Sequence, residues 1–494
     1  MKKSKWKKQH KWLGIIFSFF MLMFCLSGIV LNHRPWFPDM EVSRKWLPGR
    51  YLYANWNGGL LRGTTPYIIG ADTCILVYGT GGIWKTDSTA SRFSDFNTGL
   101  PKGSDLRQIK NVVRMPDGNL FAVSIFGLFR YVSAGNGWRA VTLPKEADEM
   151  LTDMVCRNDT LIVAGRSYLY QSAPPYASFQ KIQLKQPGDY NNKVSLFRTI
   201  WLLHGGGLFG MPGRILMDIV AVIIMVICIT GLLYWLLPKY VRRRRKEGSN
   251  ADAAIKATRM SFIWHEKLGR CTIILTLFVC ISGWCLRPPV LILLALNKVP
   301  AIPGTELHST NPWNDRLRMI RYDEERHDWI LSTSDGFFSL RTLDATPVRI
   351  AHTPPVSVMG LNVFQKDNAG RWLCGSFSGM FVWDRSLDSI TDYFTGEAAP
   401  EQAGPPFGKR AVSGYSQDFI GDAFTVEHYD GTCAVPQPSE LEELPMSLYA
   451  IALEVHNGRF YMGPAATYVF VFLSGILAVW ILLTGWRLRR RNSH

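Results

Sequence analysis

Four long apolar stretches constrain this chain more than any other feature. Residues 12–32, 214–237, 265–296 and 464–486 are each long enough to cross a bilayer core of about 30 Å, which takes roughly 20 helical residues. Lipid offers no partner to backbone N–H and C=O groups, so each stretch is expected as a helix. The flanks orient them. Residues 1–11 hold six Lys, 238–264 hold eight Lys or Arg, and 487–494 hold four Arg. Set against Glu247 and Asp252, this surplus equals the entire net charge of +16. The positive-inside rule puts these three segments in the cytoplasm and the long segments 33–213 and 297–463 outside. The expectation is a multi-pass protein of a bacterial inner membrane, with both termini cytoplasmic and large periplasmic parts. The basic runs suit anionic lipid rather than nucleic acid. The first stretch is too long for a signal-peptide core and reads as an anchor.

The outer segments read as β-rich. A phrase of strand, Gly turn and strand recurs near residues 75–85, 120–130 and 161–170, then at 329–339 and 371–383. A weak copy ends at Asp430-Gly431-Thr432-Cys433. The spacing within each half is about 40–50 residues, the length of a propeller blade. Three blade-like units per half are expected, closing into one propeller-like cap or standing as two sheets. Asp87, Asp335 and Asp384 suit turns better than catalysis. Cys74, Cys156, Cys374 and Cys433 lie outside the apolar stretches, widely spaced, and their pairing cannot be deduced.

The polar landmarks in the apolar stretches repeat. His10-Lys11-Trp12-Leu13-Gly14 leads to Ser27-Gly28, and His265-Glu266-Lys267-Leu268-Gly269 leads to Ser282-Gly283 at the same spacing. His204 precedes the second stretch and His456 the fourth, and these stretches end at Thr230-Gly231 and Thr484-Gly485. The chain thus reads as two related halves, each helix, β segment, helix, forming a four-helix bundle. Pseudosymmetry pairs His10 with His265 on the cytoplasmic side and His204 with His456 on the outer side. Two facing imidazoles are what a six-coordinate haem requires, so two haem b groups are expected. Zinc would need further ligands on each face. At about 100° per residue, Gly28 lies in line with His10 and Gly283 with His265. Gly14 and Gly269 lie close to the same lines. These four glycines mark a groove for a flat macrocycle or a partner helix. His33 points elsewhere on a straight first helix and is an alternative outer ligand.

These residues, with Leu203-His204-Gly205 through Phe209-Gly210 and Gly213-Arg214, resemble the PepSY-associated transmembrane helix family. The resemblance covers the four helices and their flanks. Some members are inner-membrane ferric-siderophore reductases with two b-type haems. It implies His10, His204, His265 and His456 as axial ligands, and reduction of a ferric chelate outside. Recognisable PepSY modules are absent, and the blade-like segments stand in their place.

Reduction of Fe(III) to Fe(II) loosens its hold in hard-oxygen chelators. With the inside negative, an electron moving outward gains roughly 2.3 kcal/mol per 100 mV. The cytoplasmic segments are too short for a nicotinamide or flavin domain, so quinol or a separate protein is the expected donor. Outer-membrane uptake components are possible partners. The rival readings are a non-enzymatic permease component and a propeller-type sensor. The short cytoplasmic segments leave little room for a sensor output domain, and the scarcity of acidic residues beyond Asp218 in the first, second and fourth stretches argues against an ion path.

Overall fold

A computed structural model describes residues 3–488 apart from 70–71, 147–148, 296, 358, 404–407 and 409. Most of the tail expected at 487–494, and Leu296 at the end of the third stretch, lie outside the described residues. The helices in chain order are α1 Lys3–Asn32, α2 Leu196–His204, α3 Gly210–Lys246, α4 Asp252–Cys271, α5 Ile273–Cys285, α6 Val290–Ala295, α7 Ser439–Glu442, α8 Leu448–His456 and α9 Pro464–Arg487. The chain divides into two compact units. One comprises Met1–Phe37, Asn192–His308 and Leu448–His494; the other comprises Pro38–Asn191 and Ser309–Ser447. Residues 192–213, 297–308 and 448–463 therefore belong with the helices, and the β segments are shorter than 33–213 and 297–463.

In the helical unit, three helices are long and apolar enough to cross a membrane: Ser4–Asn32, Gly207–Lys246 and Ala466–Arg487. The helix pair Asp252–Cys271 and Ile273–Cys285 passes the same test as one span bent by 69°. The third stretch is thus not one straight helix over 265–296. The bend falls at Thr272, whose hydroxyl donates to the Leu268 carbonyl at 2.8 Å. Pro288 and Pro289 then separate α5 from α6. The first two spans run beyond 12–32 and 214–237, because their basic flanks continue the helix. A second break falls at Gly205-Gly206-Gly207. Gly206 has φ +78°, and a Cβ there would lie 2.1 Å from the Gly213 carbonyl oxygen, so only glycine lets the chain fold back so closely. A third lies between α8 and α9, where Gly458 has φ +78° and Pro464 starts the new helix. Cys25, Val220 and Ile224 form a small core between α1 and α3. Side chains such as Ile16, Phe19, Ile219, Val469 and Leu473 point outward, as lipid-facing positions do.

The β unit holds antiparallel sheets in chain order. Five are four-stranded, covering residues 63–95, 109–141, 151–182, 317–349 and 361–392. A two-stranded sheet pairs Val412–Ser416 with Phe424–Glu427. The first five repeated phrases are the second and third strands of the four-stranded sheets. The sixth differs: Gly431 makes only an isolated bridge to Glu427, after the hairpin of the last sheet. None of these sheets closes on itself as a barrel. Apolar clusters lie between consecutive sheets, Leu76, Ile109 and Leu120 between the first two, and Ile162, Trp313 and Trp329 between the third and fourth. Another joins the last sheet to the first through Val426, Leu61 and Val77. Asp87 and Asp384 accept backbone N–H groups in turns, whereas Asp335 also pairs with Arg316 at 2.7 Å. The nine cysteines are free thiols.

Arg385 fastens the fourth sheet to the fifth. It is buried, and its guanidinium meets Asp328 at 2.8 Å and Asp323 at 2.6 Å. Trp372 Nε1 also donates to Asp323. Burial pushes the Asp323 carboxyl up, but hydrogen bonds from Trp372, Arg385 and Lys366 hold it below the ordinary carboxylate range. A depressed carboxyl contributes stability above its unfolded pKa of about 4, and that stability fades as pH falls through the folded value. Arg385→Ala leaves the half-buried Asp328 without its guanidinium partner and the buried Asp323 with only the Lys366 and Trp372 side chains. It is expected to cost the β unit about 3–5 kcal/mol at neutral pH, and less in acid. Thermal melts of the full chain at neutral and acidic pH check this; equal costs at both would contradict it.

Candidate functional site

The four interface histidines form two pairs in the helical unit. The His10 and His265 ring centres lie 6.1 Å apart with planes at 66°. Those of His204 and His456 lie 6.0 Å apart at 51°. Each ring comes from a different helix, α1 with α4 and α2 with α8. The partners are those that the repeated spacing predicts.

The hydrogen bonds fix which ring nitrogen is available. His10 Nδ1 lies 3.1 Å from the Ile481 carbonyl and 3.2 Å from Thr484 Oγ1. His265 Nδ1 lies 2.9 Å from the Ile227 carbonyl. His456 Nδ1 lies 3.0 Å from the Phe24 carbonyl and 3.1 Å from Ser27 Oγ. His204 Nδ1 lies 3.1 Å from Ser282 Oγ. A carbonyl only accepts. The hydroxyls of Ser27, Ser282 and Thr484 already donate back into their own helices, to Met23, Val279 and Ile481. They too are acceptors here, so each Nδ1 is the N–H donor. In a neutral ring that leaves Nε2 with its lone pair. Metal-binding histidines are commonly held this way, the second nitrogen donating to a fixed oxygen.

Glycines seat the rings. A Cβ on Gly28 would lie 3.3 Å from His456 Cε1, on Gly231 3.1 Å from His265, on Gly283 2.8 Å from His204, and on Gly485 3.0 Å from His10. Each Ser-Gly or Thr-Gly step is therefore a socket for a histidine from another helix. On the unbroken α1, Gly28 keeps its expected line from His10 and takes a ring from another helix, His456. Gly283 seats His204, and here the bend at Thr272 breaks the straight-helix count from His265. Gly231 and Gly485 do for the other pair what Gly28 and Gly283 do here; the signal for them was the Thr-Gly pair closing each stretch. Gly14 and Gly269 have open space where a Cβ would stand.

His33 joins neither pair. It is buried, its Nε2 lies 2.5 Å from Asp218 Oδ2, and its ring stacks on Trp36 at 3.9 Å. The nitrogen it would need as an alternative ligand is engaged by α3. Among the described residues, no three His, Cys, Asp or Glu side chains gather around one point as a metal cage would require.

No curated protein matches the chain. Among solved structures it is similar to the extracellular domain of BT4673 from B. thetaiotaomicron. One such structure is described as a one-component system, at 12% identity and TM-score 0.25, covering 66% of this chain and 34% of that one. Another is described as a hybrid two-component system, at 12% identity and TM-score 0.24, covering 66% and 33%. The chain thus spans about a third of the length of the structures it matches. The PepSY-associated TM region matches in two overlapping stretches, residues 1–237 and 167–491. This multi-pass chain belongs to the PepSY-associated transmembrane family.

Proposed function

We propose that this protein is a di-haem b electron conduit of a bacterial inner membrane that reduces a ferric chelate on the periplasmic side during iron uptake. The observation that carries the reading is the pair of facing imidazoles, made twice. Two ring nitrogens each about 2 Å from one metal place their ring centres about 6 Å apart, and the measured separations are 6.1 Å and 6.0 Å. The Nδ1 hydrogen bonds hold Nε2 as the donor, and the glycine sockets let the Cε1 edge of each ring come close to a neighbouring helix. When bound, haem supplies a one-electron centre; everything else is done by the chain. The histidines fix the donor geometry, the serine, threonine and carbonyl oxygens orient the rings, and lipid-facing helices keep water out. Open space beside Gly14 and Gly269 gives a macrocycle room near the His10–His265 pair.

The finer architecture follows the same reading. The three spans and the bent pair serve as a four-helix bundle of two related halves, with both termini cytoplasmic. The five four-stranded sheets and the hairpin Val412–Ser416 with Phe424–Glu427 serve as blade-like units of one propeller-like cap; the cluster joining that hairpin to the first sheet supports this. The electron donor is quinol or a separate protein, and outer-membrane uptake components deliver the chelate.

The test is spectroscopic. Full-length protein, purified in detergent after haem-supplemented expression, is expected to show low-spin b-type bands that sharpen with dithionite. A pyridine haemochrome assay should give two haems per chain. A colourless, iron-free preparation that is folded by circular dichroism would sink the proposal and favour the sensor reading.

A further inference from the structure

We propose that a cavity inside the β unit is a binding site for a small polycarboxylate anion. This does not depend on the histidine pairs, because binding is read without any electron transfer.

The cavity has a volume of about 390 Å³, within the usual range for small-molecule sites. One irregularity, repeated five times, builds its wall. The first strand of five successive sheets shifts register after its first residue: between Ile109 and Asn111, Leu151 and Asp153, Leu317 and Met319, Leu361 and Val363, and Val412 and Gly414. A bulge bends a strand and re-aims the extra side chain. The five extra residues are Lys110, Thr152, Arg318, Asn362 and Ser413, and all five line the cavity. Every one is polar, two are cationic and none is acidic. Thr152 Oγ1, Asn362 Nδ2 and Ser413 Oγ donate to the Ala164, Val412 and Val426 carbonyls and so brace the wall, while Lys110 and Arg318 supply its charge.

The charge is one-sided. Arg62 and Arg166 also line the cavity, and among the described residues no Asp or Glu does. Arg166 pairs with Asp315, which stands behind the wall rather than in it. Arg62 reaches Asn362 Oδ1 at 3.0 Å and the Lys110 carbonyl at 3.2 Å, so its guanidinium is held in place. Burial lowers the Arg62 pKa; Tyr78 and Asp153 oppose the shift and Arg321 adds to it. A bound anion would offset that cost. Four cations, Arg62, Lys110, Arg166 and Arg318, line a partly enclosed space whose described lining has no carboxylate, which favours a ligand carrying several negative oxygens. Arginine matches the planar carboxylate well, which favours carboxylate over a spherical ion.

Calorimetric titration of the full-length protein in detergent, with citrate, inorganic phosphate and glycerol as probes, decides the matter. Citrate is expected to bind, to bind more weakly as salt rises, and to outcompete phosphate. The double variant Lys110→Gln/Arg318→Gln should lose at least tenfold in citrate affinity. Thr152→Glu, which adds a carboxylate to the same wall, should abolish binding without removing any cation, and keeps the test valid if the double variant fails to fold. No heat with citrate, unchanged affinity in folded Thr152→Glu protein, or displacement of citrate by an equal concentration of phosphate would overturn the proposal.

Discussion

His204→Ala is expected to halve the haem content and to stop reduction of a ferric chelate by added quinol. His456 alone would leave one side of the group open, and the His10–His265 pair would keep its own spectrum. His10→Ala should halve the content by removing the other half of the signal, and the double variant should be colourless. His456→Met keeps a ligand atom at the position and is expected to raise the midpoint potential of one group only, because thioether ligation raises haem potentials. Pyridine haemochrome assays and a redox titration read these outcomes. If His204→Ala retained both groups at unchanged potentials, the pair 6.0 Å apart would be a packing contact and not a ligand set.

Glycine substitutions should separate the sockets from the open grooves. A Cβ on Gly283 would come within 2.8 Å of His204 Cε1, closer than real carbon contacts allow. Gly283→Val is therefore expected to push the imidazole out of line. It should remove the haem of that pair and cost about 1–3 kcal/mol in overpacking. Gly14 meets nothing within 4 Å. Gly14→Leu should leave the thermal stability of the haem-free protein within about 0.5 kcal/mol, while lowering haem occupancy at the His10–His265 pair if the macrocycle lies along that face. Melting curves and haem content, measured together, distinguish displacement of a ligand from filling of a groove. A Gly283→Val protein with full haem content would show that the socket has slack the distances do not suggest.

Much of this was legible in the sequence, for reasons that differ by element. Three spans were legible because lipid demands long apolar helices, and α9 at Pro464–Arg487 departs by one residue from the expected 464–486; the third stretch, expected as one helix over 265–296, is a bent pair. The pairing of His10 with His265 was legible because a repeated spacing carries its own symmetry. The glycine geometry was not. Counting 100° per residue assumes a continuous helix, and the chain breaks at Thr272 and again between His204 and Gly210. Past a break, the direction of a side chain depends on tertiary packing. His33 illustrates the same limit: its partner Asp218 is 185 residues away. The hairpin phrases located five sheets through their apolar alternation and Gly turns. The last sheet escaped because its two short strands, Val412–Ser416 and Phe424–Glu427, lack the phrase. The cavity was invisible because the bulges that build it depend on register between strands, which no local motif records.

The sockets have one more implication. His10 and His204 belong to the first half of the chain, yet they rest on Gly485 and Gly283 of the second. His265 and His456 belong to the second, yet they rest on Gly231 and Gly28 of the first. Every ring is lodged across the divide. A ribosome that has delivered only residues 1–246 has made two imidazoles with nowhere to sit and two empty seats. The His204–His456 pair waits for α5 and α8, and His10 is seated only when α9, the last helix described, arrives. On the di-haem reading, residues 1–246 alone offer neither pair to a haem, and the two sites are completed by different later helices.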